Sequence, residues 1–236
     1  MTLTIHRGTH EIGGSCIEIS TASSRLFLDF GLPLVDRQGK QIKLKKESHP
    51  TLSELINSSL APSIPYFLER DDKPTYLLLS HSHLDHYGLA PCLPADIRVY
   101  ASKGTKKLLE VALYFNQSTF DPTTVITIEP WKAFHLGDLT ITPYLADHSA
   151  IDAFSFLIEA EGKRIFYSGD LRSHGRKGVL FQNLIVKPPK DIDYLILEGS
   201  MLGRENTNNE SEQNVEDKLA EELSKDGLYL ASFSSQ

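Results

Sequence analysis

Cysteine is scarce in this 236-residue chain, with only Cys16 and Cys92. Two are too few for a disulfide framework or a zinc ribbon and point to a reducing compartment. Long apolar runs are missing as well. No stretch approaches the roughly 20 apolar residues that span a bilayer. Met1 to His10 alternates polar and apolar residues instead of building the apolar centre of a signal peptide. A cytoplasmic protein with no membrane partner is expected. Basic residues number 24 against 31 acidic ones, a formal charge of −7. That argues against a general nucleic-acid binder working through bulk electrostatics, and leaves room for a local basic site. Internal repeats, low-complexity tracts and clusters of Gly and Pro are also absent, so disorder is not indicated.

What is present suits a soluble α/β protein of one large domain, or of one domain and a fragment. The first part reads as a meander of strands over Leu3 to His6, Ser15 to Ser20 and Arg25 to Phe30, broken by Gly13-Gly14 and the polar turn Thr21 to Ser24. Asp36 to Glu47 is polar and lysine-rich, a surface loop. Helical character follows over Thr51 to Leu60, then strands at Tyr76 to Leu79 and Asp96 to Tyr100. Ser102 is placed to cap a helix running to about Gln117, with Leu108, Leu109, Val111, Ala112 and Phe115 as its apolar stripe. Further strands are expected at Val125 to Ile128, Leu139 to Leu145, Ala153 to Glu159 and Arg164 to Ser168. Tyr194 to Leu197 reads as a strand buried on both faces. A helix over Glu212 to Lys225 and a strand over Leu228 to Ala231 complete the pattern, which suggests two packed sheets covered by helices.

The chemistry is concentrated in Ser80-His81-Ser82-His83-Leu84-Asp85-His86, directly after an apolar strand. A helix brings residues three or four apart to one side, and a strand brings residues two apart. The spacing of His81, His83, Asp85 and His86 fits neither throughout, so it predicts a loop that leaves a buried strand and folds around something charged. Imidazole and carboxylate together suit zinc, with manganese or iron as outsiders. His148 and Asp170 also follow predicted strands, where strand ends project side chains. Taken alone, each is a surface or capping residue. Their order after the histidine loop makes them candidate ligands.

These residues resemble the metallo-β-lactamase superfamily, whose hydrolases carry an His-x-His-x-Asp-His loop, then a lone His and a lone Asp. The resemblance implies an αββα sandwich with two metal sites, zinc or alternatively manganese. His81, His83 and His148 hold one ion, Asp85 and His86 the other, and Asp170 bridges them. Asp29, in Leu28-Asp29-Phe30-Gly31, matches an early Asp that supports the metal loop from behind, although capping of a strand end is an equal reading. Gly8 to Cys16 (GTHEIGGSC), SHSHLDHYG, YSGDLR and Leu197-Glu198-Gly199-Ser200 are similar to the β-CASP branch, which includes ribonuclease J and the pre-mRNA 3′-end endonuclease. There Glu198 matches the acidic motif that opens an inserted nuclease domain. The implied activity is phosphodiester hydrolysis in RNA processing, with Asp85, Asp170 and Glu198 as catalytic residues and RNA, or DNA, as substrate.

The chain departs from that pattern in having no histidine after His174. The last metal-ligating histidine and the later motifs of the branch are therefore not found. The expectation is a sandwich incomplete at the C-terminus, with residues 1–200 as the hydrolase core and 201–236 as the start of a truncated β-CASP domain. Weak or absent activity, a weakened second metal site and self-association through uncovered sheet edges are expected with it. Arg172, His174, Arg176 and Lys177 form a cationic loop after Asp170 that could hold phosphates or could simply be solvated. The alternatives are a hydrolase of small esters, thioesters or lactones on the same scaffold, and a non-catalytic metal-binding fragment.

Overall fold

The computed structural model describes residues 1–36, 39–42, 50–115, 118–203 and 210–230. Three strands open the chain: β1 (Thr2–Arg7), β2 (Cys16–Ser20) and β3 (Arg25–Leu28). The helices α1 (Leu52–Asn57) and α2 (Pro65–Leu68) lead to β4 (Thr75–Leu78), and α3 (Leu84–Tyr87) follows it. Then come β5 (Arg98–Ser102), α4 (Lys103–Tyr114) and β6 (Ile126–Ile128). These strands form one six-stranded sheet in the order β1-β2-β3-β4-β5-β6, antiparallel up to β3 and parallel from β3 onward.

A second, five-stranded sheet is built from β7 (Phe134–Leu136), β8 (Leu139–Leu145), β9 (Phe154–Ala160), β10 (Lys163–Tyr167) and β11 (Tyr194–Ile196). Neighbours are antiparallel except β11, which returns parallel to β10 after a crossover through α5 (Gly178–Val186). The last helix is α6 (Glu212–Leu223).

The period of two in the strands explains why the first sheet sits in the middle. Leu26, Leu28 and Leu78 face the second sheet and pack with Leu139, Ile141, Phe154, Phe156, Ile158 and Ile165. Their neighbours Phe27 and Leu77 point the other way, into a core shared with Phe30, Leu55, Ile64, Leu89 and Leu109 beneath the helices. Burying each of these side chains contributes about 1.5–3 kcal/mol before entropy is counted. On the outer face of the second sheet Leu157 and Phe166 are paired and buried, with the Tyr144 ring edge-on to Phe166.

Several expectations change in detail. β11 is an edge strand and not doubly buried: Leu195 is 59% exposed, because nothing described packs against its outer side. The histidine loop ends in the single helical turn α3, so its second half is helical. Ser102 does cap α4, but among the expected stripe only Leu109 is buried, and Phe115 is 62% exposed. β7 and α5 were not foreseen, being a strand of three residues and a helix without a side-chain N-cap bond. Leu228 to Leu230 forms no strand, while Ala231 lies outside the described residues, as do much of the Asp36 to Glu47 loop and Gln117.

Candidate metal centre

The candidate ligands stand at one rim of the sandwich, where strands of both sheets end. β4 delivers Ser80 and His81, β8 delivers Asp147 and His148, and β10 leads through Ser168 and Gly169 to Asp170. One ligand atom from each of His81, His83, His148 and Asp170 lies within 4.8 Å of all the others. His81 Nε2 and His148 Nε2 each sit 3.0 Å from His83 Nδ1. Asp170 turns its two oxygens in different directions. Oδ2 is 3.9 Å from His81 Nε2 and 3.7 Å from His148 Nε2, while Oδ1 is 3.3 Å from His86 Nε2. Asp85 Oδ2 lies 3.8 Å from the same His86 nitrogen.

Hydrogen bonds behind the imidazoles decide which nitrogens carry lone pairs. Asp29 is fully buried at the end of β3. Its Oδ1 accepts from Ser80 N–H at 2.7 Å. Its Oδ2 accepts from the Ser80 hydroxyl at 2.7 Å, from His86 Nδ1 at 2.8 Å and from the Tyr167 hydroxyl at 2.7 Å. The Ser80 hydroxyl, having spent its proton on Asp29, can only accept from His81 Nδ1, 2.9 Å away. Both His81 and His86 therefore carry a proton on Nδ1 and turn Nε2 toward the cluster, and His81 presents a lone pair there. Ser149 Oγ lies 3.4 Å from His83 Nε2 on the side away from the cluster.

Electrostatics divide the imidazoles into two kinds. Burial, with the neighbouring imidazoles adding to it, pushes His81 well below its ordinary value. Burial lowers His83 and holds His148 at about 4 in spite of Asp170. Burial would depress His86 too, but Asp29 and Asp170 outweigh it and hold His86 well above its usual range. Burial raises Asp85, opposed by His86 and assisted by Asp170, whereas His86, His148 and His83 overcome burial and keep Asp170 low. His81 Nε2 and His148 Nε2, each 3.0 Å from His83 Nδ1, are spaced much as ligands around one cation are, since donors held tetrahedrally at about 2.0–2.1 Å stand a little over 3 Å apart, so this donor set fits a metal ion.

The sequence from residue 52 to residue 220 matches the family described as the Beta-lactamase superfamily domain. The chain belongs to the metallo-β-lactamase superfamily. Among similar proteins is the probable RNase MJ4 of Methanocaldococcus jannaschii, 27% identical over 80% of this chain and 43% of that protein. An RNase J-like protein of the same organism is 25% identical over 94% of this chain and 48% of its own length. The endoribonuclease YSH1 of Gibberella zeae is 25% identical over 69% of this chain and 20% of its own. The chain thus spans less than half the length of each of these relatives. A crystal structure of a protein of unknown function from Enterococcus faecalis superposes with a TM-score of 0.77 at 24% identity, covering 94% of this chain and 57% of that one.

In this metallo-β-lactamase fold the metal-loop turn α3 is cradled by the two glycine-bearing loops of the N-terminal meander. Ser15 N–H donates to the Asp85 carbonyl, Phe30 N–H to that of His86 and Leu32 N–H to that of Leu84. Gly31 lies against the same turn so closely that a Cβ there would stand 1.6 Å from the Asp85 carbonyl oxygen.

A cavity of about 680 Å³ opens beside His148 and Asp170, walled by Arg172, Glu198 and residues 199–203. Glu198 is oriented by the Leu171 N–H at 2.9 Å on Oε1 and by the Ser200 hydroxyl at 2.5 Å on Oε2. The cationic loop is largely spoken for within the chain. Arg172 pairs with Glu212, Arg176 with Glu216, and Lys177 Nζ donates to the Ala150 carbonyl. Of these cations only Arg172 lines the cavity, and His174 is exposed. Tyr87 packs inward against Phe120 and does not line the cleft. Sequence reasoning missed Ser80 and Tyr167, the partners of Asp29, and Asp147. Serine, tyrosine and a second aspartate beside a histidine carry no signal until the strands align them.

Proposed function

We propose that this chain carries the metal-dependent phosphodiesterase core of an RNA-processing nuclease. In this reading zinc occupies the His81, His83, His148 and Asp170 cluster, and a weaker second ion lies among Asp85, His86 and Asp170. Residues 1–200 form the hydrolase core and 201–236 begin the domain that β-CASP nucleases insert. The observation that carries the proposal is the divided carboxylate of Asp170, one oxygen toward His81 and His148 and the other toward His86. The names of the similar proteins, RNases and endoribonucleases, supply the substrate class.

The chemistry such ions supply when bound is neutralisation of phosphoryl charge and activation of water at neutral pH. The chain's own residues do the rest. Asp170 is kept ionised by the surrounding imidazoles, which makes it the acceptor that orients the attacking water. Asp29 fixes the tautomers of His81 and His86. Glu198 stands at the cavity wall with both oxygens anchored, so it orients a donor from substrate or protein instead of roaming.

The test measures zinc content together with cleavage of labelled RNA, labelled DNA and a thioester, for the wild type and for His83→Ala. The expected result is about one tightly held zinc per wild-type chain, as a closed donor set binds, with cleavage of RNA in preference to DNA. His83→Ala loses both. Metal-free wild type, unchanged zinc in the variant, or thioester cleavage without phosphodiesterase activity would each overturn the reading.

A further inference from the structure

The loop after Asp170 makes a set of contacts that the chemistry above does not use. Asp147, which precedes the candidate ligand His148, is 1% exposed, and its acceptors turn toward this one loop. Its carbonyl oxygen accepts from Arg172 N–H at 2.8 Å, its Oδ2 from Gly175 N–H at 2.9 Å, and its Oδ1 faces Arg172 Nε at 3.7 Å. On its other side the loop grips the first turn of α6. Arg172 Nη2 pairs with Glu212 Oε1 at 2.6 Å, Arg176 N–H donates to Glu212 Oε2 at 2.9 Å, and Glu212 N–H donates to the His174 carbonyl at 3.0 Å. The packing is tight enough to demand glycine at residue 175. A Cβ there would stand 2.3 Å from Asp147 Oδ1 and 2.6 Å from Arg172 Nε.

A buried carboxylate is costly unless a cation and hydrogen bonds answer it, and removing one partner of such a pair leaves the other charge uncompensated. The guanidinium of Arg172 answers Asp147 on one side and Glu212 on the other. One donor, Nη2, is within hydrogen-bond distance of Glu212, whereas Nε and Asp147 Oδ1 face each other at 3.7 Å as an ion pair and not as a hydrogen bond, so the planar cation stands between two carboxylates.

We propose that Arg172 is a positioning residue, a clip that ties the Asp147-His148 segment to the start of α6 so that the helix holds the His148 imidazole on aim. The link to metal binding rests on the metal reading of the histidine cluster, whereas the clip itself does not.

The experiment uses the full chain with Arg172→Met, Glu212→Gln, the double variant, Arg172→Lys, and Asp217→Asn as a control on the same helix. Glu212 is 36% exposed on its side chain, so Glu212→Gln leaves the core untouched. Two readouts are taken: cobalt(II) affinity with the visible spectrum of the bound ion, and amide hydrogen exchange of the metal-free protein. Partners behind a metal ligand typically matter by about 10–100-fold in affinity. Each of Arg172→Met and Glu212→Gln is therefore expected to weaken cobalt binding about tenfold and to change the spectrum. The double variant should be no worse than the weaker single one, since residues acting through one link are not additive. Arg172→Lys should recover part of the loss and Asp217→Asn should match wild type. Wild-type affinity and spectrum in Glu212→Gln, or additive losses in the double variant, would overturn the clip. If wild type binds no cobalt, the metal reading fails and exchange decides the clip. Faster exchange at the Gly175 and His148 amides in Glu212→Gln supports it, and unchanged exchange refutes it.

Discussion

At the scale of single residues three imidazoles of the cluster, those of His81, His83 and His148, are made poor bases. His148 is held at about 4 against an ordinary 6.5, with burial as the main cause. Between those two pH values the unfolded chain binds a proton that folded, metal-free His148 refuses, so acidification through this window favours unfolding. Above 6.5 the residue contributes no pH dependence. His86 acts in the opposite sense. Its raised value adds stability that is fully present below pH 6.5 and is lost as pH rises through the raised value. In the metal-free protein, NMR titration of the His148 ring is expected to show a midpoint near 4. A midpoint near 6.5 would mean that the ring is solvated and not preset as a neutral donor. The donors themselves were legible in the sequence because four of them crowd between His81 and His86 and two more follow strands in order. The tautomer-setting partners were not. Tyr167 reaches Asp29 from the second sheet, a contact that exists only once the two sheets are stacked.

At the scale of elements the short turn α3 is the part most dependent on its surroundings. Four residues make too short a helix to hold itself, and its three outward carbonyls are met by the backbone of two loops. Gly31→Ala would drive a methyl into the Asp85 carbonyl. Overpacking of this kind costs about 1–3 kcal/mol. Chemical denaturation should register that loss, and Asp85 and His86 should move with the turn, leaving a variant that holds less metal than wild type. Strand positions were readable from alternation wherever one face is buried, as in β8, where Leu139 and Ile141 are buried and Thr140 and Thr142 are less so. β11 misled because an apolar run looks the same whether its faces are covered or bare. In α4 the periodic stripe was real in sequence, yet Val111 stays 38% and Phe115 62% exposed, with Phe115 edge-on to Tyr114 of the same helix end.

At the scale of the whole molecule the layers are unequal. The first sheet has a core on each face, whereas the second sheet shows Leu195 at 59% and Leu197 at 58% exposure, and α6 exposes Val215, Leu219 and Leu223. Exposed apolar surface of this kind binds amphiphilic dyes. Leu195→Lys with Leu197→Ser is expected to reduce the fluorescence of a bound naphthalene sulfonate dye while changing stability by no more than about 0.5 kcal/mol, as surface substitutions usually do. Equal dye binding would show that the face is already covered. The donors around the rim have a mechanical side as well. His81, His83, Asp85 and His86 belong to one slab of the sandwich and His148 and Asp170 to the other. An ion seated there would act as a rivet through both slabs, so that chelation loosens the whole stack along one edge and heat opens it from that edge first.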